Sequence, residues 1–289
     1  MKNLKKADVL PKVLLANVIQ SKKGKNRTRL NEMKEELESR FDEYEDKAKS
    51  GTLHLLKEKW YYDKNAVESD GVFLYSQYDN SKATIEEQVK TSVIAANDDE
   101  IILKCPICEL RDDIEWDHYV PRSLFPEFSF HSYNLIPICH TCNNKKKKQW
   151  CGKGKRLFFN AYYDTPTDEC IFEVSVNEEN KILKINISLR NFEKPKEQTR
   201  LALSTIESLE LMSYVNKKLN EKLNKQLTEL IRRRKHFLGS DEEYLLMEME
   251  TLDDGIVEIE DVNNWDRIVM TTIKDSPIVE KWLREQFNN

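Results

Sequence analysis

Cys105-Pro-Ile-Cys108 and Cys139-His-Thr-Cys142, with thirty residues between them, frame the stretch that decides how this chain is read. Each C-x-x-C pair makes a short turn that aims two thiolates at one point. Two such knuckles complete a tetrahedral shell of four sulfurs around Zn2+. A closed four-cysteine site is structural and catalyses nothing by itself. The alternatives are four free buried thiols, or disulfides in an exported protein. The N-terminus is basic, but Pro11 and Lys12 interrupt its apolar stretch and no convincing small-residue cleavage site follows, which argues against export. Cys151 and Cys170 are left over and read as ordinary thiols.

Inside the loop stand Glu115-Trp-Asp117-His118-Tyr-Val-Pro121-Arg122-Ser123, then Tyr133-Asn134-Leu135-Ile-Pro137, and after the last cysteine Asn143-Asn-Lys145. Phosphodiester hydrolysis needs a base to activate water and a cation to stabilise charge on the phosphate and the leaving oxygen. A neutral imidazole suits the base. A carboxylate and an amide oxygen suit a hard ion such as Mg2+. Adjacent Asp and His on an extended strand project to opposite faces, so one can reach a metal while the other meets the attacking water. Asn143 would open the next helix and return to the same place.

In this order of residues the chain resembles the HNH (ββα-metal) endonuclease family over about residues 101–165. The resemblance implies that His118 is the general base and that Asp117 and Asn143 ligate a catalytic Mg2+ or Mn2+. It implies that Asn134 braces the loop carrying the base, that Cys105, Cys108, Cys139 and Cys142 hold a structural Zn2+, and that DNA is cut to 3′-hydroxyl and 5′-phosphate ends. The third signature position is Asn rather than His. A finer likeness lies in the string from Asp117 through Ser129, the Tyr-Asn-Leu-Ile-Pro segment and Asn160-Ala-Tyr-Tyr-Asp164. These look like the HNH subunits of Septu-type anti-phage systems, which also accompany some retrons and work with a separate ATPase. The rival readings are a zinc-containing module that binds nucleic acid without cutting it, and a scaffold subunit.

The rest of the 289 residues fits a soluble, cytoplasmic chain. Apolar residues make up 39%, ample for a core, and the longest apolar runs fall far short of a membrane span. Seven glycines and no phosphate-binding glycine motif leave the chain without its own nucleotide loop, which suits an ATPase on another subunit. The net charge is −5, yet residues 20–29 carry five basic groups and 143–156 carry seven, with no acid in either run. Lys145, Lys146, Lys147, Lys148 and Arg122 are the expected phosphate contacts, giving salt-sensitive binding without sequence information. The Lys22–Arg29 run reads equally as a second contact or a flexible arm. His140 is expected in solvent, His131 as a packed ring, and no spacing rule fixes a role for Glu127. The aromatic string Leu157–Tyr163 reads as cover for the zinc module.

Helical stripes are expected over 28–49, 85–96 and, longest, 198–237, with Gly239 as its stop. A β-hairpin is expected around an Asn177–Asn180 turn, and a last helix from Ser276-Pro277. The fold class is therefore α+β and mainly helical: a zinc-stapled ββα core at 99–170, between a helical region at 1–98 and a hairpin-plus-helix region at 171–289. The length of the 198–237 stripe leaves a helical interface open, to a hetero-partner or to a second copy in a homo-oligomer.

Overall fold

Pro11 opens the first helix, in the first turn where a missing N–H costs nothing. The computed structural model describes residues 1–66, 68–97 and 104–288. They form two units, Met1–Pro166 and Thr167–Asn289. The expected boundary at 98/99 falls among residues 98–103, outside the described residues. The molecule is α+β and mainly helical, with three two-stranded sheets among the described residues.

In the first unit, α1 (Pro11–Ser21), α2 (Gly24–Glu32), α3 (Lys34–Lys49), α4 (Asp70–Asp79) and α5 (Lys82–Ala96) precede the cysteine module. The stripe expected over 28–49 is real, since Leu30, Met33, Leu37, Phe41 and Tyr44 are all buried. It is divided between α2 and α3, which meet at Met33. Ser69 caps α4 by accepting a hydrogen bond from Val72 N. Gly71, in the first turn of α4, lets the Tyr61 carbonyl pack against the helix; a Cβ there would lie 2.0 Å from that oxygen.

The strands β1 (Ile114–His118) and β2 (Leu135–Cys139) pair antiparallel, Asp117 opposite Ile136 and His118 opposite Leu135. The helix α6 (His140–Lys146) follows at once, with Cys139 at its N-cap, and ends at Lys147 in the left-handed region (φ 51). A small hairpin, β3 (Cys151–Gly152) with β4 (Lys155–Arg156), comes next. The aromatic string then packs inward: Phe158, Phe159 and Tyr162 are buried, and Tyr162 OH donates to the Leu135 carbonyl (2.9 Å). Arg156 ties the string's far end with a bidentate pair to Asp164 (2.8 and 2.8 Å).

In the second unit, β5 (Phe172–Glu179) and β6 (Ile182–Leu189) form the expected hairpin. The turn is shorter than expected, with positive φ at Asn180 (53°) and Lys181 (63°), the geometry that matches strand twist in a two-residue connection. The single long helix does not occur. It is broken into α7 (Glu197–Ser208) and α8 (Met212–Arg234) by Leu209-Glu210-Leu211, with Glu210 at φ 46. The apolar period hides the break because Leu209 and Leu211 stay buried on the same side as Ile206 and Val215. Val215, Leu219, Leu223, Leu227 and Leu230 are buried along α8, so the stripe is core. Asn216 and Asn220 on α8 each clasp one residue of β6, accepting from its N–H and donating to its carbonyl: Asn216 with Ile187 (2.7 and 2.9 Å), Asn220 with Ile185 (2.9 and 2.7 Å).

Three helices complete this unit: α9 (Asp241–Glu258), α10 (Trp265–Asp275) and α11 (Pro277–Phe287). The start of α9 is a capping box of Ser240 and Glu243, directly after the expected stop at Gly239. For α11, Ser276 accepts from Val279 N and Pro277 fills N1, as the sequence implies.

Candidate metal and catalytic site

The four knuckle cysteines are buried, and their Sγ atoms all lie within 4.8 Å of one another. Cys108 and Cys139 Sγ are 3.8 Å apart, close to the edge of about 3.8 Å that a tetrahedron with Zn–S near 2.3 Å requires. The turn between the first pair places Glu109 at φ 56 and donates Glu109 N to the Cys105 carbonyl (2.8 Å). Cys142 N donates to Cys139 Sγ (3.5 Å) in the second. Four thiols packed this closely compete through hydrogen bonds with one another, above all with Cys105, which pushes the Cys108 and Cys142 thiols well up. A divalent cation removes that conflict, so the cluster fits a tetrahedral zinc site. Cys151 is exposed and Cys170 is half-buried, apart from it.

Alternation along β1 separates the two halves of the Asp-His pair. Glu115 and Asp117 face α6, while Trp116 and His118 belong to the opposite face. Lys146 Nζ donates to Asp117 Oδ2 (2.6 Å) and to the His118 carbonyl (2.9 Å). One helical turn earlier, Asn143 Nδ2 donates to Glu115 Oε2 (2.9 Å). Thus Asn143 and Lys146 on the helix run alongside Glu115 and Asp117 on the strand. His140 Nδ1 contacts Glu115 Oε1 (2.5 Å), and Asn144 Nδ2 lies 2.6 Å from His140 Nε2. Glu115 is held below the usual carboxylate range by its bonds from Asn143 and His140. Burial raises Asp117 although Lys146 opposes the shift.

His118 is 8% exposed, and its ring meets the edge of Tyr78 on α4 at 4.7 Å. Burial above all, with Arg122 nearby, lowers its pKa to about 3, so the imidazole is neutral at ordinary pH. On the same face of β1, a hollow of about 530 Å3 opens between α5 and the hairpin, lined by Glu86, Glu87, Lys90, Ile114, Trp116 and Pro137 among others. Arg122 pairs with Asp79 (2.7 Å) and lies over the rings of Tyr75 (4.0 Å) and Tyr78 (4.9 Å).

Asn134 is fully buried. Its Oδ1 accepts from Val120 N (2.8 Å) and Tyr44 OH (3.1 Å), and its Nδ2 donates to the carbonyls of Val120 and Phe128 (both 3.1 Å). The loop that leaves His118 is therefore pinned at its second residue.

Of the lysine run, Lys147 and Lys148 are exposed, Lys145 is half-buried and Lys146 is turned inward. In the other run, Lys23 at the N-cap of α2 and Lys25 and Arg27 on that helix are exposed, while Arg29 pairs with Asp70 (2.7 Å). His131 is a packed ring among Phe41, Tyr44 and Phe128. Glu127 is buried against Arg40 (2.7 Å), which also donates to the Lys57 carbonyl (2.9 Å). Glu115 is the site residue that sequence reasoning passed over. The signal was available: it stands two before Asp117, hence on the same strand face.

The comparisons with known proteins are short and partial. One segment of 70 residues, 22% of this chain, is 33% identical to the Septu protein PtuB of Bacillus thuringiensis and covers 26% of that protein. Another, of 47 residues, is 40% identical to protein ea31 of Escherichia phage lambda, covering 16% of each. No family model matches, and no solved structure matches. Among the described residues no helix is long and apolar enough to cross a membrane.

Proposed function

We propose that the chain is a metal-dependent HNH-type endonuclease that hydrolyses DNA phosphodiester bonds, acting as the nuclease subunit of an anti-phage defence complex. The observation that carries this reading is the juxtaposition on one ββα unit: Asp117 and His118 end β1 on opposite faces, and α6 runs Asn143 and Lys146 along the Asp117 face. The limited likeness to a Septu protein supports the defence role.

Zn2+ in the four-cysteine shell staples the start of the module to the N-terminus of α6 and so fixes where Asn143 begins. Asp117 and Asn143 offer the carboxylate and amide oxygens that suit Mg2+ or Mn2+. That ion, when bound, supplies positive charge to the scissile phosphate and the departing oxygen. His118, neutral because it is buried, accepts a proton from the attacking water. Asn134 keeps the segment after His118 from shifting. Lys145, Lys147 and Lys148 supply charge for the DNA backbone. A separate ATPase subunit is the natural source of restraint for such a nuclease, and a second copy of the chain is the other partner in view.

The test is nicking of supercoiled plasmid by the purified, zinc-loaded chain, alone and with the ATPase from its own operon. Cleavage that needs added Mg2+ or Mn2+, and is absent from the zinc-loaded chain in buffer without them, is expected. DNA binding without divalent-dependent nicking in either preparation would favour the non-catalytic zinc-containing subunit.

A further inference from the structure

Lys146 sits within a basic run, yet its side chain is 6% exposed and its partner Asp117 only 15%. Lys147 and Lys148, its neighbours, face solvent. Two details separate this contact from an ordinary surface ion pair. The ammonium bridges two oxygens of one dipeptide, Asp117 Oδ2 at 2.6 Å and the His118 carbonyl at 2.9 Å. Both are hard oxygen donors, of the kind that also hold divalent ions. Further, Lys146 stands one turn after Asn143 on the side of α6 that faces β1, so it lies beside the group expected to share a metal with Asp117.

We infer that the Lys146 ammonium is a resident cation of the Asp117 site, which a divalent ion must displace in order to take Asp117 as a ligand. The inference rests on the endonuclease reading for the identity of that ion. A lysine is suited to such exchange. Its charge is compact, its four-carbon stem is flexible, and a swing of the stem returns the ammonium to water. An unpaired buried carboxylate is costly, so the pair also holds Asp117 in place when no other cation is near. Displaced, the ammonium adds a positive charge beside the site, where a phosphate can use it. Competition of this kind weakens divalent binding and makes the occupancy of the site sensitive to ion concentration.

The test uses the zinc-loaded full chain without DNA. Mn2+ affinity is measured by calorimetry for the wild type, Lys146→Met and Asp117→Asn. Lys146→Met should bind Mn2+ about tenfold or more tightly, a gain of about 1.4 kcal/mol, and Asp117→Asn should lose the site. Unchanged or weaker Mn2+ affinity in a folded, zinc-replete Lys146→Met would overturn the inference while sparing the nuclease reading. No Mn2+ binding by any of the three would overturn both. A second measurement needs no variant: acetylation of lysines in the wild type, read by mass spectrometry. Lys146 should be protected in chelator-free buffer without Mg2+, with the zinc retained, and become reactive as Mg2+ saturates the site. Reactivity that is the same with and without Mg2+ would sink the idea.

Discussion

Asn134 and Val120 are joined in both directions, Val120 N donating to Asn134 Oδ1 (2.8 Å) and Asn134 Nδ2 donating to the Val120 carbonyl (3.1 Å). A buried side-chain amide here imitates the pairing of a neighbouring strand, two residues past the end of β1. Replacing it with Ala leaves both Val120 groups and the Phe128 carbonyl without partners in a dry interior. The expected cost is about 2–4 kcal/mol. Native-state hydrogen exchange should show the Val120 amide opening at least tenfold faster, about 1.4 kcal/mol or more, in Asn134→Ala. An unchanged exchange rate would remove Asn134 from its bracing role.

His118→Ala should lower plasmid nicking by about 10²- to 10⁴-fold, the usual loss for a general base, with zinc content and melting behaviour retained. The depressed pKa adds a pH signature. A free imidazole loses its basic form below about pH 6.5. His118, lowered to about 3, keeps it, so the wild-type rate should hold as pH falls through about 6.5 instead of halving there. Wild-type turnover in His118→Ala would end the mechanism.

Cys105→Ser and Cys139→Ser should each release zinc and unfold the module. Binding there is folding free energy, roughly 10 kcal/mol or more in small zinc modules. Metal analysis should return about one zinc per chain, since four ligands make one shell. Zinc-free protein that still melts cooperatively, with the amides around Cys105 protected, would contradict this.

Acid stability carries opposed contributions, from two buried histidines on one side and a buried carboxyl on the other. His131, buried among aromatic rings, has its pKa lowered to about 3, so the unfolded chain binds more protons between pH 6.5 and 3. That contribution is complete above 6.5 and falls away toward 3, to a limit of about 5 kcal/mol. Glu127 is raised by burial to about 6, so the folded chain binds more protons between 6 and 4.5. Its effect adds about 2 kcal/mol as pH drops through that window. His118, lowered to about 3 as well, adds an equal histidine contribution, so melting midpoints should fall gently between about pH 6 and 4.5, where Glu127 offsets part of the loss, and more steeply below. His131→Phe should make the steep limb about half as steep, since His118 still contributes its own share; a limb unaltered by that change would show that the His131 ring titrates elsewhere.

The cysteine cluster was legible in the sequence because C-x-x-C is local chemistry: each turn is complete within four residues. The hairpin and the Ser276-Pro277 helix start were legible for the same reason. The break at Glu210 was not, because Leu209 and Leu211 preserve the apolar period across it. Nor were α4 and its contact with His118, since Tyr78 meets that ring across a separation of forty residues that no spacing rule reports. The inward turn of Lys146 was hidden by its neighbours: four consecutive lysines read alike until a helix assigns one of them to a buried face.

The asparagine clasp on β6 has a consequence for how this hairpin can associate. Ile185 and Ile187 have both backbone groups engaged by Asn220 and Asn216, so that margin cannot accept another strand. The outer margin of β5 has no strand beside it among the described residues. A growing fibril needs two adhesive margins on every unit, one to receive and one to offer. A hairpin with a single adhesive margin is a chain terminator: whatever joins it there, the stack stops, and two copies meeting edge to edge would close at four strands with nothing left to extend.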